Sequence, residues 1–334
     1  MTLQIGSVRI EGRTALAPMA GVTDHAYRLI CRRCGAPYAV TEMVSAKGLL
    51  YGDRKTKELL DCRDETPVAA QIFGGDPEDI RRAAPLAIAL SGAQILDLNM
   101  GCPMPKVTSN GEGSALMRDP DRAAAIIRAA IETAGVPVTV KFRLGWDSFT
   151  ADEFARVCEA AGAAALCVHG RTREQYYAGR ADWDGIARVV RAVSIPVMAS
   201  GDVFEPQDAV RILAHTGAAL CMIGRGSYGN PWLFARAEAA LRGEPVPPLP
   251  TVPERLALAR EHMALAVAEK GERRAVMESR HHVAWYCKGL PGAAALRGRI
   301  SRLSTAGEMY ALLDEMAQRC EAQNAACQTD RSLL

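Results

Sequence analysis

Cys102 lies in the segment Asn99-Met100-Gly101-Cys102-Pro103 and is the residue best suited to chemistry. Other cysteines lie inside apolar runs, as Cys167 does in Ala-Leu-Cys-Val, and such thiols behave as small packing groups. A free thiol has a pKa of about 8.5, so Cys102 suits a proton donor at neutral pH. The alternative is a buried packing thiol. The small and polar segment 108–114 follows closely, and we predict that it is mobile enough to close over a substrate.

Three polar side chains, Gln71, Lys141 and His169, end other apolar runs of the chain. Lys141 and His169 are hydrogen-bond donors, and a cation near N1 of a flavin stabilises the reduced ring. The amide of Gln71 suits the other edge of the ring. His169 taken alone would be interpreted as a structural histidine, but the three side chains together favour a flavin site.

The segment Gly224-Arg225-Gly226-Ser227-Tyr228-Gly229 matches the glycine-rich pattern of dinucleotide-binding turns. A Rossmann unit needs a further strand after the following helix, whereas here a proline-rich segment comes next. The same glycines, together with Ser200-Gly201-Asp202, fit instead the phosphate site that barrels form after their seventh and eighth strands. We therefore predict that backbone N–H groups of Gly201, Gly224 and Arg225 bind a phosphate.

Eight short apolar segments recur at intervals of roughly 25–40 residues, with amphipathic stretches between them. They cover residues 15–17, 38–40, 68–72, 95–99, 138–141, 166–169, 197–200 and 220–223. This pattern predicts a (β/α)8 TIM barrel. A polar or glycine-rich signature follows each segment, and a barrel gathers the carboxyl ends of its strands on the face that carries the active site.

Helix boundaries are marked by proline near the start and glycine at the end. Asp76-Pro77, Asp119-Pro120 and Glu205-Pro206 predict helix starts. The predicted helix ends are Gly92, Gly135, Gly162 and Gly217.

The chain is predicted to contain two domains joined by a stiff linker. The barrel is assigned to 1–242, the linker to 243–250, and a small all-helical domain to 251–334. Between Arg273 and Arg302 there are seven Lys or Arg but only one acid, Glu278. A solvated helix face is the ordinary explanation, and a surface for a phosphate backbone is at least as consistent with the pattern.

Bulk composition is that of an ordinary globular protein. The 334 residues are 49% hydrophobic and 23% charged, with a formal net charge of +2. The ten cysteines are irregularly spaced, and Cys31-x-x-Cys34 lacks a second pair at zinc spacing, so neither disulfides nor a metal is expected. No leader or membrane-spanning segment is recognised, which favours the cytoplasm.

Seven segments together resemble the tRNA-dihydrouridine synthases over nearly the whole chain, closest to their bacterial B-type branch. They are 17–24, 71–74, 97–103, 141–146, 169–173, 200–202 and 222–226. The segment 280–286 is also similar to the helical domain of that branch. Ser200 departs from the family pattern, which often has Asn, and this argues against a side-chain bond to the flavin there.

The resemblance implies a reaction in which NADPH (or NADH) reduces FMN, and the C5–C6 bond of a uridine in tRNA is then reduced to dihydrouridine. Hydride from flavin N5 would go to C6, and Cys102 would protonate C5. By the same resemblance, the FMN-binding residues are Pro18, Met19, Ala20, Gln71, Lys141, His169, Ser200, Gly201, Asp202, Gly224 and Arg225. The substrate-binding residues are Asn99, Arg143 and Tyr176 for the uracil, and Arg280 and His281 for the tRNA.

Two alternatives remain at this stage. One is an FMN barrel oxidoreductase that acts on a free pyrimidine or a small enone, which would have no use for the basic surface of residues 273–302. The other is a tRNA-binding protein whose barrel has lost turnover.

Because no separate NADPH domain is recognisable, NADPH is expected to enter the same barrel mouth as tRNA, in alternation. Nothing in the sequence demands more than a monomer, and no obligatory protein partner is expected.

Overall fold

In a computed structural model the chain is described over residues 2–331, without the side chains at 54, 55, 297 and 323–331. Met1 and residues 332–334 of the predicted domains lie outside this range. The described chain forms two compact units, one of 2–227 with 233–247 and one of 228–232 with 248–331. None of the described helices is both long and apolar enough to cross a membrane.

A closed parallel barrel forms the first unit and confirms the predicted fold. Its sheet contains nine strands, and a short strand, β5, extends the second barrel strand and pairs with the third. The barrel closes through pairing of the last strand with the first, Cys221 opposite Thr14. After a hairpin, β1 (Thr2–Ile5) and β2 (Val8–Glu11), the strands are β3 (Thr14–Leu16), β4 (Ala39–Val40), β5 (Val44–Ser45), β6 (Val68–Phe73), β7 (Ile95–Met100), β8 (Val138–Arg143), β9 (Ala165–His169), β10 (Val197–Ser200) and β11 (Leu220–Ile223).

Alternate residues of each strand point into the barrel, because side chains of a strand alternate between its two faces. Ala69, Ile95, Ala165, Met198 and Leu220 belong to one buried cluster in the interior. Two residues further along the same faces, towards the mouth, the side chains are polar on three of these strands, at Gln71, Asp97 and Ser200. Cys167 and Met222, at the same level, still belong to the buried cluster. The alternation therefore determines which polar residues meet there.

The hairpin of β1 and β2 was not predicted. Ile5 and Ile10 are fully buried and join the interior cluster of the barrel. Gly6, at φ +56°, turns the chain directly against Pro137, which precedes β8. The hairpin therefore covers the end of the barrel opposite the mouth.

Helices surround the barrel and begin where the proline signals placed them. Asp76 and Asp119 cap helices with their side chains, and Glu205 begins a capping box with Asp208. Three predicted glycine ends are left-handed caps, whereas Gly162 follows the capping residue Ala161 by one position. The helices are α1 (His25–Arg33), α2 (Ala46–Leu50), α3 (Arg54–Leu60), α4 (Pro77–Ser91), α5 (Pro105–Thr108), α6 (Pro120–Ala134), α7 (Ala151–Ala160), α8 (Trp183–Ala192), α9 (Pro206–Thr216) and α10 (Leu233–Arg242), with 3-10 turns at Gly113–Arg118 and Arg225–Ser227.

The second unit is helical throughout its regular structure. It contains α11 (Val252–Lys270), α12 (Glu272–Tyr286), α13 (Ala293–Ile300) and α14 (Ala306–Arg331). The apolar stripes predicted from Leu256 and Met263 and from Met309 and Met316 are buried in a common core. Residues 244–250 form neither helix nor strand.

Candidate active site

Neighbouring strands bring the predicted polar residues together at the barrel mouth. Asn99 of β7 lies opposite Lys141 of β8, and His169 of β9 lies opposite Ser200 of β10. Gln71 of β6 lies opposite Asp97, one inward-facing position below Asn99. The register therefore places these five predicted residues on one continuous rim.

A buried carboxylate, Asp97, organises the deepest part of the mouth. It accepts a hydrogen bond of 2.6 Å from Nε2 of Gln71 and another from the hydroxyl of Thr139. Burial raises the pKa of Asp97 to about 6, although both hydrogen bonds and the charge of Lys141 oppose the rise. Because Asp97 accepts from the amide nitrogen of Gln71, the amide oxygen must point the other way.

Asn99 continues this network to Cys102. Its Nδ2 donates to Oε1 of Gln71 at 2.9 Å, and its Oδ1 accepts from the backbone N–H of Cys102 at 2.9 Å. The thiol of Cys102 is nearly buried, and burial raises its pKa above the ordinary value. The backbone N–H of Met104 and the charges of Arg143 and Lys141 lower it only in part. The thiol therefore stays protonated at neutral pH.

The segment after Cys102 carries short regular structure at both of its ends, and the mobility predicted for 108–114 stays a prediction. It folds into the short helix α5 and the 3-10 turn Gly113–Arg118. The backbone N–H and hydroxyl of Ser114 both donate to the carbonyl oxygen of Cys102, at 3.1 and 2.9 Å. Gly113 passes so close that a Cβ there would lie 2.9 Å from that oxygen. This packing holds the backbone of Cys102 in place.

Arg143 connects the Cys102 segment to the loop after β9. Its Nε donates to Gly101 O at 2.8 Å, and its Nη1 donates to Thr172 O and Tyr176 O at 2.9 and 2.8 Å. No described residue accepts from Nη2, so two N–H donors remain for a ligand. Burial lowers the pKa of Arg143 to about 10, which leaves it charged at neutral pH. Tyr176 offers its backbone carbonyl here from a left-handed φ of 49°.

His169 is a neutral group in this site. Burial lowers its pKa well below the ordinary value, and the nearby charges of Lys141, Arg143 and Arg171 lower it further. His169 is thus expected to supply no positive charge at neutral pH. His169 remains a hydrogen-bond donor through a neutral imidazole.

Asp202 links the turns that follow β9, β10 and β11. The fully buried Arg171 donates from Nη2 to both carboxylate oxygens of Asp202, at 2.7 and 2.9 Å, and Arg225 donates at 3.1 Å. Burial acts to raise the pKa of Asp202, but the hydrogen bond from the backbone N–H of Ala181 and these two guanidinium groups hold it below its usual range. The N–H groups of Gly201 and Asp202 have no acceptor among the described residues. Because the one carboxylate of Asp202 lies between the guanidinium groups of Arg171 and Arg225, the net charge of this corner of the mouth is positive.

The loop after β3 forms another part of the rim. Pro18 and Met19 are half-buried and Ala20 is exposed. The N–H of Met19 donates to Oγ1 of Thr23 at 2.8 Å, which closes the loop into a compact turn. A Cβ at Gly224 would reach only ordinary contact distance, 3.4 Å, from the sulfur of Met19. The space above Gly224 is therefore open enough for a ligand to approach the backbone.

Arg280 and His281 lie in α12 of the helical unit, half-buried. Nη2 of Arg280 donates to Leu303 O at 2.6 Å, and His281 packs between His282 and Trp285 at centroid distances of 4.3 and 4.7 Å. Both residues thus have structural contacts, and their predicted role toward tRNA stays a prediction. In the basic run, Arg274 pairs with Glu278, and Arg299 pairs with Glu315. Arg273 and Lys288 are exposed and make no ion pair with a described residue.

Asp97 and Arg171 are the two organising residues that the sequence argument missed. Asp97 is two residues before Asn99 and so shares its inward face, which was a usable signal. Arg171 follows His169 by two positions, in a loop, where an arginine is ordinarily expected in solvent. Nothing in its neighbourhood in the sequence indicated full burial.

A comparison with known protein families identifies the family of this chain. The model of the dihydrouridine synthase (Dus) family matches residues 15–324, which spans both units. The chain belongs to the dihydrouridine synthase family. This confirms the resemblance found in the sequence, and the family consists of oxidoreductases.

Individual dihydrouridine synthases are similar along most of their length. The tRNA-dihydrouridine synthase B of Pseudomonas aeruginosa is 42% identical over 305 residues, covering 90% of this chain and 91% of that protein. The probable tRNA-dihydrouridine synthase 1 of Synechocystis sp. is 42% identical over 318 residues, covering 94% and 88%. The tRNA-dihydrouridine synthase B of Xanthomonas axonopodis pv. citri is 41% identical and covers 93% and 94%.

A solved structure with a similar fold is the 6-hydroxypseudooxynicotine amine oxidase of Pseudomonas geniculata N1. It superimposes with a TM-score of 0.57 at 15% identity, over 87% of this chain and 56% of that one. At this identity the likeness concerns the fold, and it agrees with the barrel found here.

Proposed function

We propose that this dihydrouridine synthase reduces the C5–C6 bond of uridine in tRNA to 5,6-dihydrouridine, with FMN as its cofactor and NADPH as the source of electrons. The observation that carries the proposal is the position of Cys102. A protonated thiol is held at the barrel mouth by Asn99 and lies next to Arg143, whose Nη2 donors are available. The names of the relatives support tRNA as the substrate class.

The residues at the mouth fit FMN by the chemistry of their donors. The N–H groups of Gly201 and Asp202 have no acceptor among the described residues, and Arg171 and Arg225 make that corner positive, as a phosphate requires. Pro18, Met19, Ala20, Ser200 and Gly224 would border the cofactor. Gln71, Lys141 and His169 would donate to polar edges of the ring. The side chain of Asp202 would act indirectly, because Arg171, Arg225 and Ala181 N already bind it.

Bound FMN, once reduced by NADPH, would supply a hydride from N5 to C6 of the uracil. Lys141 would stabilise the negative charge of the reduced ring, since a cation near N1 favours the reduced form. His169 would add a hydrogen bond without a charge. Lys141 would therefore contribute a charge, whereas His169 would contribute only a hydrogen bond.

Cys102 would donate its proton to C5 of the uracil. Asn99 and Arg143 would bond the polar edge of the base and, through their contacts with the backbone at 101 and 102, hold it at a fixed distance from the thiol. Tyr176 would join them through its side chain, while its carbonyl orients Arg143. A target uridine must leave its stack to reach this site, as in other enzymes that act on a base.

The helical unit would bind the tRNA backbone through its exposed cations. Arg273 and Lys288 make no ion pair with a described residue, so they are available to phosphates. Arg280 and His281 would contribute by shaping this surface. Because phosphate contacts release counterions, the binding should weaken as salt is raised.

Single-turnover experiments test the proposal. The purified protein should carry FMN, be bleached by NADPH, and regain its colour when unmodified tRNA is added, with dihydrouridine formed in equal amount. Free uridine should reoxidise it far more slowly. Equal rates with tRNA and free uridine would instead identify an oxidoreductase of free pyrimidines. NADPH and tRNA should compete for the oxidised enzyme, and simultaneous binding would contradict the shared mouth.

A further inference from the structure

A cavity of about 660 Å³ lies beside the barrel mouth, between the loop after β9 and the start of α9. Tyr177, Arg180, Trp183, Phe204 and Arg211 contribute to its lining together with Arg225. These residues have no part in the function proposed above, except Arg225, which borders the proposed FMN phosphate site together with Arg171 and Asp202 of the same lining. The whole cavity belongs to the barrel unit.

Two exposed aromatic rings and a guanidinium group characterise the cavity. Tyr177 is 56% exposed and Phe204 is 47% exposed, which is unusual in a chain with so few aromatic residues. The guanidinium carbon of Arg225 lies 4.9 Å from the ring centroid of Tyr177 and 5.8 Å from that of Phe204. Aromatic faces combined with arginine are the groups on which single-stranded nucleic acids stack their bases.

The charges around the cavity favour an anion. Four arginines line it against two carboxylates, Asp202 and Asp208. Asp202 is shared by Arg171 and Arg225, and Asp208 is paired with Arg211. Arg180 is exposed and makes no ion pair with a described residue, so its charge is available to a phosphate.

Tyr177 borders both the cavity and the mouth. Its ring centroid lies 5.7 Å from the guanidinium carbon of Arg143 and 6.1 Å from the ring of His169. The cavity thus begins where the proposed uracil site ends. A nucleotide bound there would be the covalent neighbour of the target uridine in the same strand, so the cavity needs no separate ligand molecule.

We propose that this cavity binds a nucleotide of the tRNA strand next to the target uridine, with its base against Phe204 and Tyr177 and a phosphate near Arg180. The inference rests on the proposed function, since it takes tRNA to be the substrate. When the target uridine leaves its stack, its neighbour loses a stacking partner, and the aromatic rings replace it. The neighbour would thereby hold the strand in position while the uracil is reduced.

Variants at Phe204 and Arg180 test the proposal in the FMN-loaded full-length enzyme. Phe204→Ala should raise the Kd for unmodified tRNA about 5-fold or more, while Phe204→Tyr, which keeps the ring, should stay near the wild-type value. Arg180→Ala should lower the slope of log Kd against log salt concentration by about 0.7, as expected for one lost contact to a single strand. The value of kcat at saturating tRNA should be unchanged.

Reduction of the bound flavin by NADPH in the absence of tRNA separates the alternatives. The proposal expects this rate, its NADPH dependence and the FMN content to be unchanged in all three variants. If the NADPH dependence changes while tRNA affinity does not, the cavity binds the nicotinamide cofactor and the proposal is overturned. Unchanged tRNA affinity in both Phe204→Ala and Arg180→Ala would overturn it as well. Failure of the wild-type enzyme to modify tRNA would instead reject the proposed function itself.

Discussion

Gln71 and Asp97 lie opposite each other on adjacent barrel strands, and Nε2 of Gln71 donates to Oδ2 of Asp97 at 2.6 Å. This bond determines which end of the Gln71 amide faces Asn99. Asn99 in turn accepts from the N–H of Cys102. The orientation of a proposed flavin ligand and the position of the proposed acid thus depend on one buried carboxylate.

Replacing Asp97 by Leu should lower kcat by about 100-fold, a loss typical of small displacements of reacting groups. Leu cannot accept from Gln71, so the amide is free to turn and Asn99 loses its partner. Asp97→Asn is the matched control, because its oxygen can accept from Gln71 while its amide donates to Thr139. Single-turnover rates and FMN content measure both effects. Equal rates in the two variants would show that the carboxyl does not position Gln71.

The pKa of Asp97 also predicts how stability depends on pH. Because the folded protein raises this pKa from 3.8 to about 6, its contribution to the free energy of unfolding is fully present below pH 3.8 and is lost as pH rises through 6. The unfolding free energy of wild type relative to Asp97→Asn should therefore fall by about 3 kcal/mol between acid and neutral pH. Denaturant titrations at both pH values measure it, and a constant difference would contradict the raised pKa.

Cys102→Ala should leave FMN binding and reduction by NADPH intact but slow dihydrouridine formation by about 10²–10⁴-fold, the range of general acid catalysis. Cys221→Ala is the control, since Cys221 is a fully buried thiol of β11 without a proposed role. Rapid-mixing measurement of flavin reoxidation by tRNA separates the two half-reactions. A near-normal rate in Cys102→Ala would mean that the proton comes from another group.

The oxidative half-reaction should keep its rate to a higher pH than an ordinary thiol would allow. Burial raises the pKa of Cys102, so the proton remains available through pH 8.5 and is lost only above it. Arg143, with a pKa of about 10, also titrates on the alkaline side. Thiolate absorbance of Cys102, followed against Cys102→Ser, should coincide with the loss of rate. Loss of rate without thiolate formation would point to Arg143.

Much of the barrel followed from the sequence, because strand spacing and side-chain alternation are local properties. Gln71, Lys141 and His169 end inward-facing runs and do reach the mouth. The hydrogen bond between Gln71 and Asp97 could not be predicted from the sequence, because it depends on the register between β6 and β7. The hairpin of β1 and β2 had a signal, the turn Gly6-Ser7 between alternating apolar residues, which was overlooked.

Arg171→Lys should weaken FMN binding about 10-fold and lower the free energy of unfolding by about 2 kcal/mol, because an ammonium cannot replace the forked bonds to Asp202, Ala178 O and Gly179 O. Arg188→Lys is the control, since Arg188 forms an exposed ion pair with Asp152. Its stability change should stay below about 1 kcal/mol. Flavin fluorescence titration and denaturant unfolding provide the two measurements.

Arg273 and Lys288 should contribute to tRNA affinity, because both are exposed without an ion pair among the described residues. Replacing both by Ala should lower the salt dependence of tRNA binding by about two counterions. Arg299→Ala, which removes a cation already paired with Glu315, should change it less. Binding measured at several salt concentrations checks this, and equal effects would contradict a role specific to the unpaired cations.

The hairpin of β1 and β2 has a consequence for the order in which the protein folds. Ile5 and Ile10 are made first, but their burial requires an interior that is complete only when β11 pairs with β3. The packing of Ile5 and Ile10 in this interior joins the parts of the barrel that are synthesised first and last, and such non-local contacts form slowly. We expect the hairpin to dock late, so its amides should acquire protection from hydrogen exchange together with those of β11.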